Sequence, residues 1–209
     1  MKKYNEIIKH YESCLEKYGD NHLGVDWPKL EDVDKRYKVM LDVIKFNEEN
    51  NKEVSLLDFG CGTAHLLDYI QKNKMSINYS GLDISHKFID VSKEKFPNHS
   101  FYCLDIFETE TTLDNFDYII MNGVFTEKRS LSYDEMWKYF CDLLKIIYKK
   151  ASKGFAFNVM SKNVDWERED LFHVSHDELT RFLCNELSRN YIIRNDYGLY
   201  EYTIYVFKK

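Results

Sequence analysis

Apolar residues along the chain fall into two alternating kinds of segment. Short continuous runs, VSLLDFG at 54–60, INYSGLD at 77–83, HSFYCLD at 99–105, FDYIIMN at 116–122 and KGFAFNVM at 153–160, have the length and bulk of buried strands. Between them, at about 63–73, 85–96 and 132–150, stretches of helical character intervene, and in the last Met136, Phe140, Leu143, Leu144 and Ile147 recur at helical spacing. Strands alternating with helices predict a parallel sheet covered on both faces. Two further helices, at about 3–18 and 29–50, precede the first strand, the second with Pro28 at or near its first turn. Ser175 and Glu178 have the spacing of a capping box ahead of Leu179, Phe182 and Leu183, which predicts another helix start. The closing runs, 191–195 and 199–207, are separated only by Asp196, Tyr197 and Gly198. That connection is too short for a parallel crossover and predicts an antiparallel pair. The expected fold class is therefore α/β, a doubly wound, mostly parallel seven-stranded sheet ending in a C-terminal antiparallel hairpin. With no repeat and no linker-like tract, residues 1–50 are expected to form a helical cap or lid on a single α/β domain spanning 51–209.

Composition narrows the chemistry. The 209 residues are 44% hydrophobic, enough for one domain with a full core. A net charge of −6, from 35 acidic and 29 basic residues without a long Lys/Arg run, argues against a nucleic-acid partner. No apolar window is long enough to span a bilayer, and the first residues do not resemble a signal peptide, so a cytoplasmic protein without a membrane partner is expected. The five cysteines, Cys14, Cys61, Cys103, Cys141 and Cys184, are scattered without a CxxC pair, so neither a disulfide framework nor a thiolate zinc site is expected. Sixteen Tyr and 14 Phe are compatible with aromatic pocket walls or simply with an aromatic core.

The strongest local signal is LLDFGCGTAHLL: a strand ending at Asp58, a tight loop with Gly60 and Gly62, then a helix. Glycines there let the backbone approach a ligand, and the helix N-terminus presents free N–H groups. The next strand ends in Asp83, 23 positions after Gly60, where a carboxylate can accept hydrogen bonds from a ribose diol. A third ends in Asp105, suitably placed for an exocyclic amine. Three neighbouring strand ends bearing Asp58, Asp83 and Asp105 are harder to attribute to packing than the glycines alone.

On these residues the chain resembles the class I S-adenosylmethionine-dependent methyltransferases, strongly over about 54–125. The resemblance implies a Rossmann-like fold with S-adenosyl-L-methionine as cofactor and S-adenosyl-L-homocysteine as product. It implies that the loop Asp58, Gly60, Cys61, Gly62 and Thr63 wraps the methionine part, that Asp83 holds the ribose and that Ile84 packs on adenine. Asp105 and the backbone of Ile106 would read the adenine edge. Asn122, Gly123 and Val124 would line the sulfonium, with Phe125 toward the substrate. The chain departs from the family pattern at Ala64, where a third glycine is common, and has no N-P-P-Y sequence at 122–125, which disfavours amide- or base-nitrogen methylation. A nicotinamide dehydrogenase shares the strand–glycine–helix–acid pattern but requires a glycine where His65 stands. A non-catalytic cofactor-binding subunit is the remaining alternative.

The acceptor side is less legible. His22, in a loop with Asp20, Asn21, Asp26 and Trp27, and His173 are the candidate proton acceptors, because a near-neutral imidazole suits that task. Trp27, Phe125, Tyr197 and Tyr200 are candidate substrate contacts. His173 and His176 are better explained by the Ser175 cap than by a metal, so no metal is expected. The expected acceptor is a small polar metabolite methylated at oxygen, a sugar or phosphorylated compound linked to surface polysaccharide being the candidate class.

Overall fold

The computed structural model describes residues 4–47, 53–109 and 113–208. Eight strands form one sheet: β1 (Val54–Phe59), β2 (Ile77–Asp83), β3 (Ser100–Cys103), β4 (Phe116–Phe125), β5 (Ala151–Ser161), β6 (His173–Val174), β7 (Tyr191–Arg194) and β8 (Glu201–Phe207). Their order is β3-β2-β1-β4-β5-β8-β7, with the two-residue β6 also pairing β5. Strands β1 to β5 pair in parallel, whereas β8 runs antiparallel to both β5 and β7. The expected seven-stranded arrangement with its closing hairpin is present, and β6 is an addition too short to leave a sequence signal.

The helices are α1 (Asn5–Tyr18), α2 (Val33–Lys45), α3 (His65–Lys72), α4 (His86–Lys95), α5 (Ile106–Thr109), α6 (Tyr133–Lys150) and α7 (His176–Phe182). The helix expected at 29–50 starts later, after a 3-10 turn at Leu30–Asp32. Its expected end, 48–50, lies outside the described residues. Ser175 caps α7 by accepting from the Glu178 N–H, but the Glu178 carboxylate accepts from the Tyr133 hydroxyl and does not close the reciprocal bond. The full capping box is at α6, where Ser132 and Glu135 cap each other.

Consecutive strand residues point to opposite faces, and the two cores divide accordingly. Leu57, Ile119 and Phe157 pack with α6 and α7 on one face, whereas Leu56, Tyr118 and Ile120 pack with α2 and α3 on the other. The strand order reverses between β1 and β4, so a crevice opens outside the carboxyl ends of those strands. Across that crevice lies α1, which buries only Ile7 and Cys14, while α2 buries Tyr37, Val39, Met40, Leu41 and Val43. The two N-terminal helices thus differ: α2 packs as a layer against the sheet, and α1 side chains line the crevice.

Candidate functional site

The crevice holds a cavity of about 1220 Å³ counted out to its mouth. Its floor is built by strand ends. Asp58 closes β1, Asp83 closes β2, Asp105 follows β3, and Asn122, Gly123 and Val124 lie near the end of β4. Gly60, Cys61, Gly62, Ile84 and Ile106 complete the predicted cofactor set lining it. Thr63 does not line it. Its side chain is buried, its hydroxyl lies 3.1 Å from His65 Nε2, and its carbonyl accepts from Lys95.

Local backbone conformation explains why the sequence folds this way. Gly60 and Gly62 have φ of 76° and 54°, and a Cβ on Gly60 would sit 2.7 Å from Val124 Cγ2. Only glycine meets both demands at that position. Ala64, at φ 60°, is also left-handed, a conformation that costs an L-residue roughly 1–2 kcal/mol and that a glycine would adopt without that cost. In β4 the pairing with β5 slips between Met121 and Phe125, so Gly123, at φ 84°, bulges out of the ladder and Asn122 to Val124 turn into the cavity.

Asp83 is held from two sides: Gly62 N–H donates to Oδ2 at 3.0 Å and Ser85 N–H to Oδ1 at 2.9 Å. Burial raises its pKa, and those backbone donors oppose the rise. Asp105 accepts from the Tyr4 hydroxyl and, at 3.0 Å, from Phe107 N–H. Both amide atoms of Asn122 are buried without a hydrogen-bond partner among the described residues. Buried polar groups are rarely left so, and an unpaired donor and acceptor at the floor of a cavity fit a ligand with polar groups of its own.

Asp58 accepts from the Tyr79 hydroxyl at 2.9 Å, and burial pushes its pKa up to about 7, with nearby Asp83 adding to the rise. An unfolded Asp titrates near 3.9, so the fold favours the protonated form. The stabilisation from that proton is complete below about pH 4 and is lost as the pH rises through about 7. Asp58→Asn, which can still accept from Tyr79, is therefore expected to be more stable than the parent at pH 8, by on the order of a few kcal/mol, with the difference shrinking toward pH 4. Denaturant midpoints of both proteins across that range check this. A constant difference would show that Asp58 is ionised throughout.

The roof comes from α1 and the following loop. Tyr4, Ile7, Ile8 and Tyr11, at helical spacing, face the cavity with Val25 and Trp27. Trp27 Nε1 stands over Gly123, 3.5 Å from where its Cβ would be, and the Tyr11 hydroxyl points at the Gly123 carbonyl. Asp20 pins the loop to the glycine turn, with its carboxylate 2.7 Å from His65 Nε2 and 2.9 Å from Lys95 Nζ. Beneath the β4 bulge runs a buried relay. Gly123 N–H donates to Asn158 Oδ1 at 2.8 Å, Asn158 Nδ2 to Glu201 at 3.0 Å, and Arg36 Nε to both Glu201 oxygens at 3.0 and 3.1 Å. The Arg36 guanidinium then lies 5.2 Å from the Trp27 ring centroid. Arg36 Nη1 is buried without a hydrogen-bond partner among the described residues, and the connected bonds of the other members tie the bulge to the roof.

The remaining predicted residues lie elsewhere. His22 Nδ1 is 2.6 Å from the Trp27 carbonyl and His22 does not line the cavity. His173 is buried, with Nδ1 2.6 Å from the Ser161 carbonyl and Nε2 accepting from Arg168 N–H at 3.2 Å. It borders a separate, shallower depression with Lys128, Arg129 and residues 167–171. Phe125 is fully buried against Phe140 and Phe157. Tyr197 bonds Thr203 and Tyr200 is 64% exposed, neither at the cavity. Sequence reasoning missed Tyr4, Ile7, Ile8, Tyr11 and Tyr139 in the lining, although the first four carry a legible helical stripe. It also missed Asn158 and Glu201, whose signal is a lone polar residue inside an apolar strand.

Comparison with known proteins agrees with this geometry. Residues 57–145 match the model of a family described as methyltransferase domain, a span running from β1 into α6. The chain is 29% identical over 160 residues to protein Rv1506c of Mycobacterium tuberculosis, whose name places it provisionally among methyltransferases; the match covers 74% of this chain and 93% of that one. It is 28% identical over 93 residues, 44% of this chain and 32% of the other, to the malonyl-[acyl-carrier protein] O-methyltransferase of Acetivibrio thermocellus. The fold is shared with magnesium protoporphyrin IX methyltransferase from Synechocystis solved with bound S-adenosylmethionine, at a TM-score of 0.67 and 13% identity over 100% of this chain and 98% of that one. It is shared also with the plantazolicin methyltransferase BamL, at 0.64 and 13% over 99% and 91%. Together with the glycine loop and the strand-end carboxylates, these matches support an S-adenosylmethionine-dependent methyltransferase enzyme of class I. Its cofactor is S-adenosylmethionine.

Proposed function

We propose that this enzyme methylates a small polar metabolite at oxygen, with a sugar or a phosphorylated compound as the acceptor class, and that it acts in the cytoplasm. The observation that carries the reading is the roof. Tyr4 at the cap of α1 and Ile7, Ile8 and Tyr11 within it line the cavity with Trp27, which stands over Gly123, and so enclosed a lining suits a small acceptor. The net charge of −6 and the O-methyl chemistry named for the Acetivibrio relative support it further.

The bound cofactor supplies a methyl carbon on a sulfonium, already primed for in-line displacement. What the chain adds is alignment and dryness. Asp83 and Asp105 would hold the two ends of the nucleoside, the Gly123 bulge, fixed by Asn158, would lie toward the methyl end, and the α1 stripe with Trp27 would exclude water. His22 acts here as a positioning residue through the Trp27 carbonyl, and His173 as one through the loop it ties to β5. None of the helices among the described residues is long and apolar enough to cross a membrane.

The test is incubation with labelled S-adenosylmethionine and fractionated metabolite pools, followed by alkaline hydrolysis, which releases methyl esters, and hydriodic acid cleavage, which releases methyl ethers under milder conditions than nitrogen-linked methyl groups. Label in a small, hydroxyl- or carboxyl-bearing product is expected. Label confined to protein or RNA, or on nitrogen, would overturn the reading.

A further inference from the structure

Where α1 meets the 19–27 loop, three side chains of different chemistry converge outside the cofactor cavity. His10 and Cys14 are one helical turn apart on the same face of α1, and Asp26 reaches them from the loop. His10 Nε2 lies 2.7 Å from Asp26 Oδ2 and 3.8 Å from Cys14 Sγ, and all three ligand atoms lie within 4.8 Å of one another. Asp26 takes a left-handed backbone conformation, φ 56°, uncommon for a residue other than glycine.

We propose that His10, Cys14 and Asp26 form a divalent metal site of the zinc type, with a fourth position open to water. An imidazole nitrogen, a thiolate and a carboxylate are the three ligand types zinc accepts, at about 2.0–2.3 Å each. A tetrahedron with those bond lengths separates its ligand atoms by roughly 3.3–3.8 Å. The sulfur–nitrogen distance already matches. The carboxylate must move away from the imidazole, from 2.7 Å to about the tetrahedral separation, and Asp26, partly exposed, can do so. The site sits at the seam of the roof, one residue from Tyr11 and one from Trp27, both of which line the cavity. A bound cation fastens α1 to the loop and so closes the cover over the cofactor. The sequence hides the site because its ligands come from H-x-x-x-C and a distant Asp, and no paired cysteines announce it.

The experiment uses full-length protein stripped with a chelator and then titrated with Zn²⁺ alone by competition against a chromophoric chelator, with Co²⁺ as a spectroscopic probe. One equivalent is expected, with a near-ultraviolet thiolate-to-cobalt band. Cys14→Ser is expected to abolish the band. His10→Ala and Asp26→Ala are expected each to weaken Zn²⁺ by more than the 10- to 100-fold typical of losing an outer-shell partner. Far-ultraviolet circular dichroism confirms that each variant is folded, and Cys103→Ser serves as the control that leaves binding unchanged. Absence of stoichiometric Zn²⁺ uptake by the parent, or uptake that Cys14→Ser and His10→Ala retain, overturns the proposal and leaves the trio as a hydrogen-bonded contact.

Discussion

Asp83→Ala is expected to weaken S-adenosylmethionine binding by about 10² to 10⁴-fold. The carboxylate stands at the end of β2 with one oxygen fixed by Gly62 N–H and the other by Ser85 N–H. Each oxygen keeps a second acceptor direction, which two neighbouring hydroxyls of a ribose can fill. Two hydrogen bonds to a charged group, at about 1.5–3 kcal/mol each, give that range. The loss is compounded because Gly62, part of the loop that follows β1, is anchored by the same side chain. Asp83→Asn separates the effects, since it keeps the shape and one acceptor but offers no charge. It is expected to fall between parent and Ala variant. Calorimetric titration of all three proteins measures this, and an unchanged dissociation constant in Asp83→Ala would sink the assignment of the strand end to the cofactor.

The second large effect is expected from removing α1. Deleting residues 1–18 should leave a folded protein with weakened cofactor binding and turnover reduced at least about 10²-fold, the scale that misaligned reacting groups cost. The deleted segment supplies one buried member of the main core, Ile7, with Tyr4 and Tyr11 partly buried against it, and fully burying one such residue contributes about 1.5–3 kcal/mol. A domain of this size has a total stability on the order of 5–15 kcal/mol, so the sheet and its other helices should survive the deletion. Catalysis should not. The deletion opens the cavity from Tyr4 to Tyr11, removes the hydroxyl that bonds Asp105, and frees Trp27 from the helix beside it. Circular dichroism and thermal melts report the fold, and radiolabel transfer reports activity. Global unfolding on deletion would show that α1 is a stability element, and full activity would show that the lid is dispensable.

How much of this was legible in advance differs from element to element. The run 54–60 ends in an acid and opens into two glycines, and the structure places Gly60 where a Cβ would strike Val124. The local motif carried that information, because few residues other than glycine tolerate φ near +76°. Asp83 and Asp105 were legible for a similar reason, since a carboxylate ending an apolar run has nowhere to go but the crevice. Phe125 was assigned to the substrate side, and the structure seats it against Phe140 and Phe157 instead. The β4 bulge decides this: it turns Asn122 to Val124 outward and returns Phe125 to the core, and no periodicity announces a bulge. His22 and His173 carried the right chemistry for a proton acceptor, but the folded chain engages them with carbonyls of Trp27 and Ser161.

By itself, then, the sequence determined the alternation of strands and helices, the closing hairpin, and the glycine loop and strand-end acids that line the crevice. These depend on local period, on short connections and on backbone freedom, all of which act over a few residues. Only the tertiary structure decided that α1 lines the cavity, that Asn158, Glu201 and Arg36 join into a relay beneath Gly123, and that His10, Cys14 and Asp26 meet. Those outcomes join residues up to 165 positions apart, as Arg36 and Glu201 are. The pairing of such residues is set by how the sheet orders its strands and where its crevice opens, and that order is a property of the packed whole.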